Sequence, residues 1–257
     1  MLTMSKPFFI WTMRRTGGTS LTDLLMTMSE HNSSIQHEPF NLNRTFGYIT
    51  KEFEKQNNSN FGLDLSTLFD KEFIKTPLIK HCYEITNSSL NYELISNIKN
   101  REYKHILLLR KDEESRIFSL LLALQTDVWG LHGSKKIYEL IRSRKKTLKP
   151  IDKGSIDYEV DNSIKKTSEI KLFLEKQSID YKTIYFEDFF EGQADKRFTN
   201  LYKLFEYLDF SSNIIDEHQN IIKEIILRRS QNSFSILKYL PNYLESKNYL
   251  LNKMIKG

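Results

Sequence analysis

Four short apolar runs punctuate the chain, at residues 8–13, 78–83, 105–109 and 182–186, each the length of a buried strand. Between them the apolar positions change period. Leu21, Leu24, Leu25 and Met28 fall at offsets of three and four, which predicts a helix over residues 19–28 with one apolar face. Leu90, Leu94, Ile95 and Ile98 do the same for residues 87–98. Ile117, Leu120, Leu121 and Leu124 form a third stripe, with Asp112 positioned as its N-cap. Strands alternating with helices predict an α/β fold of three layers, a central, mainly parallel sheet covered on both faces. Ligands of such sheets bind beyond the carboxyl ends of the strands.

The segment 130–176 carries no strand pattern and is dense in charge. It is expected to form helices packed over one side as an acceptor-side insertion or lid, with Ser155 capping a helix that starts near Ile156. Residues 194–256 read as helical almost throughout, interrupted at Ser211-Ser212-Asn213 and at Pro241. No internal repeat or low-complexity linker divides the chain, so a single domain over residues 1–257 is expected. A hydrophobic fraction of 39%, with 17 Phe and 13 Tyr, is enough for a substantial core. Nine Gly and 5 Pro are too few for a turn-dense all-β fold.

Charge adds a preference of ligand. The net charge of +5, from 38 basic and 33 acidic residues, suits an anionic small molecule. Lys135-Lys136 and Arg142-Ser143-Arg144-Lys145-Lys146 are the densest basic clusters and read as solvated helix faces. They are not interleaved with aromatics, so no nucleic-acid partner is expected. A single cysteine, Cys82, allows no internal disulfide and makes the cytoplasm the default compartment. It lies in an apolar run and reads as a buried, inert thiol. The run Pro7-Phe8-Phe9-Ile10-Trp11 is too short for a membrane span, and its basic pair follows it, the reverse of a secretion signal.

The most informative segment follows the first strand: Arg14-Arg15-Thr16-Gly17-Gly18-Thr19-Ser20. A glycine- and hydroxyl-rich turn between strand and helix cradles phosphates, because its backbone N–H groups and the helix dipole point at the anion. Gly17 and Gly18 permit close backbone approach, while Thr16, Thr19 and Ser20 add hydroxyls. A nucleoside-triphosphatase loop would need G-x-x-x-x-G-K-[ST]. This turn lacks the first glycine and the lysine.

Arg15-Thr16-Gly17-Gly18-Thr19-Ser20-Leu21 resembles the 5′-phosphosulfate loop of sulfotransferases, most closely the bacterial carbohydrate type. The resemblance continues in Leu109-Arg110-Lys111-Asp112-Glu113-Glu114-Ser115-Arg116-Ile117-Phe118-Ser119, similar to the family's 3′-phosphate segment. Gln125-Thr126-Asp127-Val128-Trp129 and Tyr185-Phe186-Glu187-Asp188-Phe189 resemble later family steps, the second with Glu187 or Asp188 capping the next helix. The family uses 3′-phosphoadenosine 5′-phosphosulfate (PAPS) as co-substrate, needs no metal, and has a P-loop-like nucleotide-binding core. By resemblance Arg14, Arg15, Thr16, Gly17, Gly18, Thr19 and Ser20 hold the donor, with Arg15 stabilising charge on the leaving phosphate. Ser119 with either Arg110 or Lys111 holds the 3′-phosphate, and Arg228 and Arg229 lie where the family closes a loop over the nucleotide. The acceptor is then a carbohydrate or glycan hydroxyl, with Trp129 a candidate to stack on a sugar face.

Transfer to a hydroxyl is helped by a general base. In Gln36-His37-Glu38-Pro39-Phe40 two candidates are adjacent. Glu38 precedes a proline, which is expected to hold it extended, and some carbohydrate sulfotransferases carry the base at a Glu-Pro step. His37 is its rival, since histidine titrates closer to working pH. His81 is a weaker rival, and His105 and His132 read as incidental. No spacing of His, Cys, Asp and Glu matches a metal site. The alternatives are a P-loop-like kinase or hydrolase, and a non-catalytic binder of adenosine phosphates or an anionic glycan.

Overall fold

The structure is a computed structural model that describes residues 5–31, 35–58, 64–130, 133–227 and 234–256. Among these residues the elements run β1 Phe8–Thr12, α1 Gly18–Met28, β2 Ile35–His37, α2 Gly47–Asn58, α3 Leu65–Phe73, β3 Leu78–Cys82, α4 Ser88–Ile98, β4 Lys104–Leu109 and α5 Glu113–Thr126. They continue with α6 Ser134–Arg142, α7 Lys153–Lys176, β5 Tyr181–Tyr185, α8 Glu187–Phe190, α9 Ala194–Tyr207, α10 Ser212–Glu217, α11 Gln219–Leu227, α12 Phe234–Leu237 and α13 Tyr243–Lys256. The four expected strands are present within a residue or two, and the fold is α/β with helices on both faces of a parallel sheet.

The sheet order is β2-β3-β1-β4-β5, all neighbours parallel. β2 is the strand that the apolar pattern does not predict. It is three residues long at the sheet edge, and Gln36 and His37 are polar. Alternation along the strands feeds two cores. Phe9, Trp11, Ile79 and Leu107 join Ile49, Phe69, Leu94, Ile95, Ile170 and Leu174 on one face. Phe8, Ile10, Leu78, Ile106 and Leu108 join Leu21, Leu24, Leu25, Leu201, Phe205 and Ile226 on the other. Thus α1, which follows β1, and α4, which follows β3, cover opposite faces although their strands are neighbours. A switch point therefore lies between β1 and β3, and parallel sheets bind ligands beyond the carboxyl ends of such strands.

The chain divides into two compact units. The first comprises residues 1–109 and 166–228 and contains the whole sheet. The second comprises residues 110–165 and 229–257 and is helical among its described residues. Its own core is built from Ile117, Phe118, Leu121, Tyr138, Ile141, Ile156, Val160, Ile236 and Leu250. The segment expected as one insertion, 130–176, is split between the units, because Ile170 and Leu174 of α7 pack into a sheet core.

Helix starts follow their caps. Asn87 and Asp112 accept from the backbone N–H groups of Ser89 and Ser115. The expectation for Ser155 is corrected. α7 starts at Lys153, three residues before Ile156, and Asp152 accepts from the Ser155 N–H at 2.8 Å and from its hydroxyl at 2.6 Å. A carboxylate two bonds from the chain reaches the free N–H groups of the first turn, so Asp152 takes the cap. Glu187 and Asp188 are likewise not caps. They lie inside α8, and Phe186 occupies the N-cap position with no side-chain bond. Among the described residues no helix is long and apolar enough to cross a membrane.

Candidate functional site

The turn after β1 sits at the switch point. Arg15 and Gly17 both adopt the left-handed region, at φ 67° and 72°, with Thr16 between them at ordinary φ. This alternation turns successive backbone N–H groups toward one side, a concavity suited to an anion. Gly17 is the N-cap of α1 and has no side-chain capping bond, so the first N–H groups of the helix are left to a ligand or water. A Cβ on Gly17 would lie 2.3 Å from the Phe186 ring, so glycine is required here by contact as well as by φ. A Cβ on Gly18 would meet Leu108, Thr12 and Lys80 only at 3.4–3.5 Å.

The hydroxyls divide. Thr19 is exposed and Ser20 half-buried at the helix start. Thr16, expected as a hydroxyl donor to the anion, is buried. Its Oγ1 donates to the Met13 carbonyl at 2.7 Å and lies against the Thr12 hydroxyl. Its hydroxyl shapes the turn. Arg14 is also a brace: its backbone N–H and its Nε both donate to Oε1 of Glu84, at 2.6 and 2.9 Å. The Glu84 side chain has 0% exposure, and its Oε2 makes no hydrogen bond. Arg15 stands half-exposed at the mouth of the turn.

Two further strand ends converge on the turn. Lys80, on the α1 face of β3, runs its stem past Gly18 and donates from Nζ to Oε1 of Glu38 at 2.6 Å. The Glu38 N–H in turn donates to the Lys80 carbonyl at 2.6 Å. Glu38 is not extended as expected before a proline. Its φ is 53°, held by that bond, by the Lys80 ion pair and by a turn in which Asn41 N–H donates to the Glu38 carbonyl. A strained residue fixed from several directions is a feature of functional sites. Burial pushes the Glu38 carboxyl up, but the Lys80 ammonium and hydrogen bonds from Lys80, Cys82 and Asn41 leave it below the usual range. Burial likewise opposes the charge of Lys80, and the neighbouring acids, Glu38 and Glu84 among them, hold its pKa above the ordinary lysine value.

The histidines separate from this cluster. His37 Nε2 lies 3.3 Å from Oδ1 of Asp23, partway along α1, while Glu38 turns toward Lys80. His81 is fully buried on the opposite face and bonded to Asn91 at 2.8 Å; burial pushes it down to about 4. His105 accepts from the Trp11 indole and is lowered by burial to about 4. Cys82 is a buried free thiol, raised by burial. His132, Arg228 and Arg229 lie outside the described residues. Among the described residues no three His, Cys, Asp or Glu side chains are grouped as metal ligands.

In the second unit Arg110 is half-buried and Lys111 exposed, and Ser119 shares the inward face of α5 with Ser115 and Arg116. Arg116 is held by two bonds to Glu113, at 2.7 and 2.6 Å. Gln125 exchanges two hydrogen bonds with the Lys149 backbone, and Trp129 is 46% exposed with its indole N–H on Asp127.

Lys80 and Glu84 are the site residues that sequence reasoning missed. A lysine inside the apolar run Leu78-Ile79-Lys80-His81-Cys82 was the available signal, since a buried lysine needs a partner. Comparison with known proteins yields no relative: no family model, no curated protein and no solved structure matches the chain.

Proposed function

We propose that the chain is a sulfotransferase that moves the sulfuryl group of PAPS to a hydroxyl of a small acceptor, a carbohydrate or glycan. The observation that carries this reading is the uncapped turn-to-helix junction at the switch point, flanked by Arg15, buried Lys80 and Glu38. A triphosphatase loop carries its lysine within itself. Here the turn itself carries Arg15, and the lysine beside it, Lys80, comes from the neighbouring strand.

In this reading the turn N–H groups and the start of α1 bind the 5′-phosphosulfate. The acceptor oxygen attacks sulfur in line, and its bond to sulfur forms as the bond from sulfur to the phosphate oxygen breaks. The acceptor proton passes to Glu38. The growing charge on the phosphate is met by Arg15, Lys80 and the turn amides. The donor anion competes with Glu38 for Lys80, and drawing the ammonium away leaves burial unopposed, so Glu38 becomes a better base as the donor binds. His37, paired with Asp23, is the weaker candidate for that role. Arg110, Lys111 and Ser119 keep the 3′-phosphate role that the resemblance gives them.

The test is transfer from PAPS labelled in its sulfuryl group to a panel of sugars, glycans and phenols. Label is expected on a sugar hydroxyl. The Arg15→Ala variant is expected to lose turnover while still binding a donor analogue. Labelling of no acceptor by a protein that binds the nucleotide would favour a non-catalytic binder.

A further inference from the structure

The two units differ in charge. The first carries 21 basic and 23 acidic residues, the second 17 basic and 10 acidic, so the whole positive excess belongs to the second. Within it the excess is concentrated. Residues 133–149 contain seven Lys and Arg against one acid, Glu139.

The structure gives this segment a shape. α6 ends in a turn in which the N–H groups of Lys145 and Lys146 both donate to the Leu140 carbonyl, with Arg144 at φ 59°. The chain is thereby folded back on the helix end, and Lys136, Arg142 and Lys145 line one open groove of about 580 Å³ with Glu139, Leu140 and Ser143. A helix C-terminus attracts cations on its own account, but one or two in the last turn satisfy it. Elsewhere in the unit two half-buried lysines pair with acids, Lys247 with Glu114 at 2.9 Å and Lys253 with Asp161 at 3.0 Å. Among the described residues Lys136, Arg142 and Lys145 have no such partner; Arg142 instead donates to the Ser235 hydroxyl at 2.8 Å.

We infer that this groove binds an anionic polysaccharide, a chain bearing carboxylate or sulfate groups. Guanidinium and ammonium groups along a groove match charges spaced along a polymer. Most of the aromatic and aliphatic surface of the segment is turned inward: Tyr138, Ile141 and Leu148 are buried, Ile137 and Leu140 half-buried, and Leu140 alone of these lines the groove. Among the described residues that line the groove there is no aromatic ring on which bases could stack, and one half-buried leucine is too little to wedge into a lipid surface. The inference rests on the sulfuryl-transfer reading only for its role, holding an already anionic glycan acceptor.

The experiment measures binding of the full chain, without nucleotide, to heparin, to uncharged dextran, to duplex DNA and to vesicles containing phosphatidylserine, near 0.15 M salt. Heparin is expected to bind with affinity that falls as salt rises, and dextran not to bind. The exposed charge reversals Lys136→Glu, Arg142→Glu and Lys145→Glu combined are expected to weaken heparin binding roughly tenfold or more. Glu139→Lys is expected to strengthen it. Unchanged affinity in both variants, no binding to heparin, or tighter binding to DNA or vesicles would overturn the proposal. Titration with 3′-phosphoadenosine 5′-phosphate, run in parallel on the same variants, reports separately on the transfer reading and is expected not to change.

Discussion

The backbone N–H of Arg14 and its Nε share one oxygen of Glu84, at 2.6 and 2.9 Å, and that carboxylate is wholly shielded from solvent. One side chain from the end of β3 thereby fixes the first residue of the turn after β1. It does so on both backbone and side chain.

Glu84→Gln keeps the shape but gives up the charge in two charge-assisted bonds. It is expected to cost about 2 kcal/mol of stability. Because the turn amides lose their brace, nucleotide affinity is expected to fall roughly tenfold. Denaturant unfolding and calorimetric titration measure the two effects. Full stability and affinity in the variant would show that Glu84 does not hold the turn.

The two glycines of the turn differ in what they tolerate. Gly17→Ala forces a Cβ against the Phe186 ring at 2.3 Å and a side chain into φ 72°. The left-handed conformation alone costs roughly 1–2 kcal/mol, so this variant should melt earlier and bind nucleotide poorly. Gly18→Ala meets its neighbours at 3.4 Å or more and should lose much less. Adding Phe186→Ala to Gly17→Ala should recover part of the nucleotide affinity. A reversed ranking of the single variants would contradict this geometry.

Lys80 and Glu38 should behave as a coupled pair. In Lys80→Met the Glu38 carboxyl loses its cation while remaining largely buried, so its pKa should rise. Carbon-detected titration of labelled glutamate reads that shift directly. The acid limb of the rate profile should move to higher pH, and turnover should drop by about 10²-fold or more from lost stabilisation of the leaving phosphate. An unmoved carboxyl titration would show that Lys80 does not control Glu38.

These relationships were unequally legible in the sequence. Buried parallel strands read as largely apolar runs, so β1, β3 and β4 were visible, the edge strand β5 showed through a shorter run ending in Ile184, Tyr185 and Phe186, and the helix face of Leu21, Leu24 and Leu25 was visible too. The turn was visible because glycine has few other reasons to stand between a strand and a helix. Lys80 and Glu84 were not, since their meaning lies in which strand ends become neighbours. β3 inserts between β2 and β1, a pairing that no local pattern encodes. The extended reading of Glu38 failed for a related reason. Proline's local preference was overridden by bonds to Lys80, a residue 42 positions away. The division into two units was hidden because α7 is one uninterrupted helix across the boundary.

Acid should destabilise the fold through its buried histidines. His81 and His105 are neutral in the folded state, with values of about 4 against 6.5 when unfolded. The unfolded chain therefore binds more protons between these values, and stability falls as pH drops from 6.5 toward 4. Above 6.5 this contribution is complete and flat. His81→Gln and His105→Gln, each compared with the parent by unfolding at pH 7.5 and pH 5, should flatten the dependence. An equally steep dependence in both variants would assign it to other groups.

The central claim is that the turn after β1 binds a phosphosulfate donor for sulfuryl transfer. Calorimetric titration with 3′-phosphoadenosine 5′-phosphate, set against ATP with Mg²⁺, tests it most directly. The expected result is saturable 1:1 binding of the first, weakened by Gly17→Ala and Glu84→Gln, with ATP bound far more weakly. Preference for ATP with Mg²⁺, or no binding of the 3′-phosphorylated nucleotide by a folded protein, would contradict it.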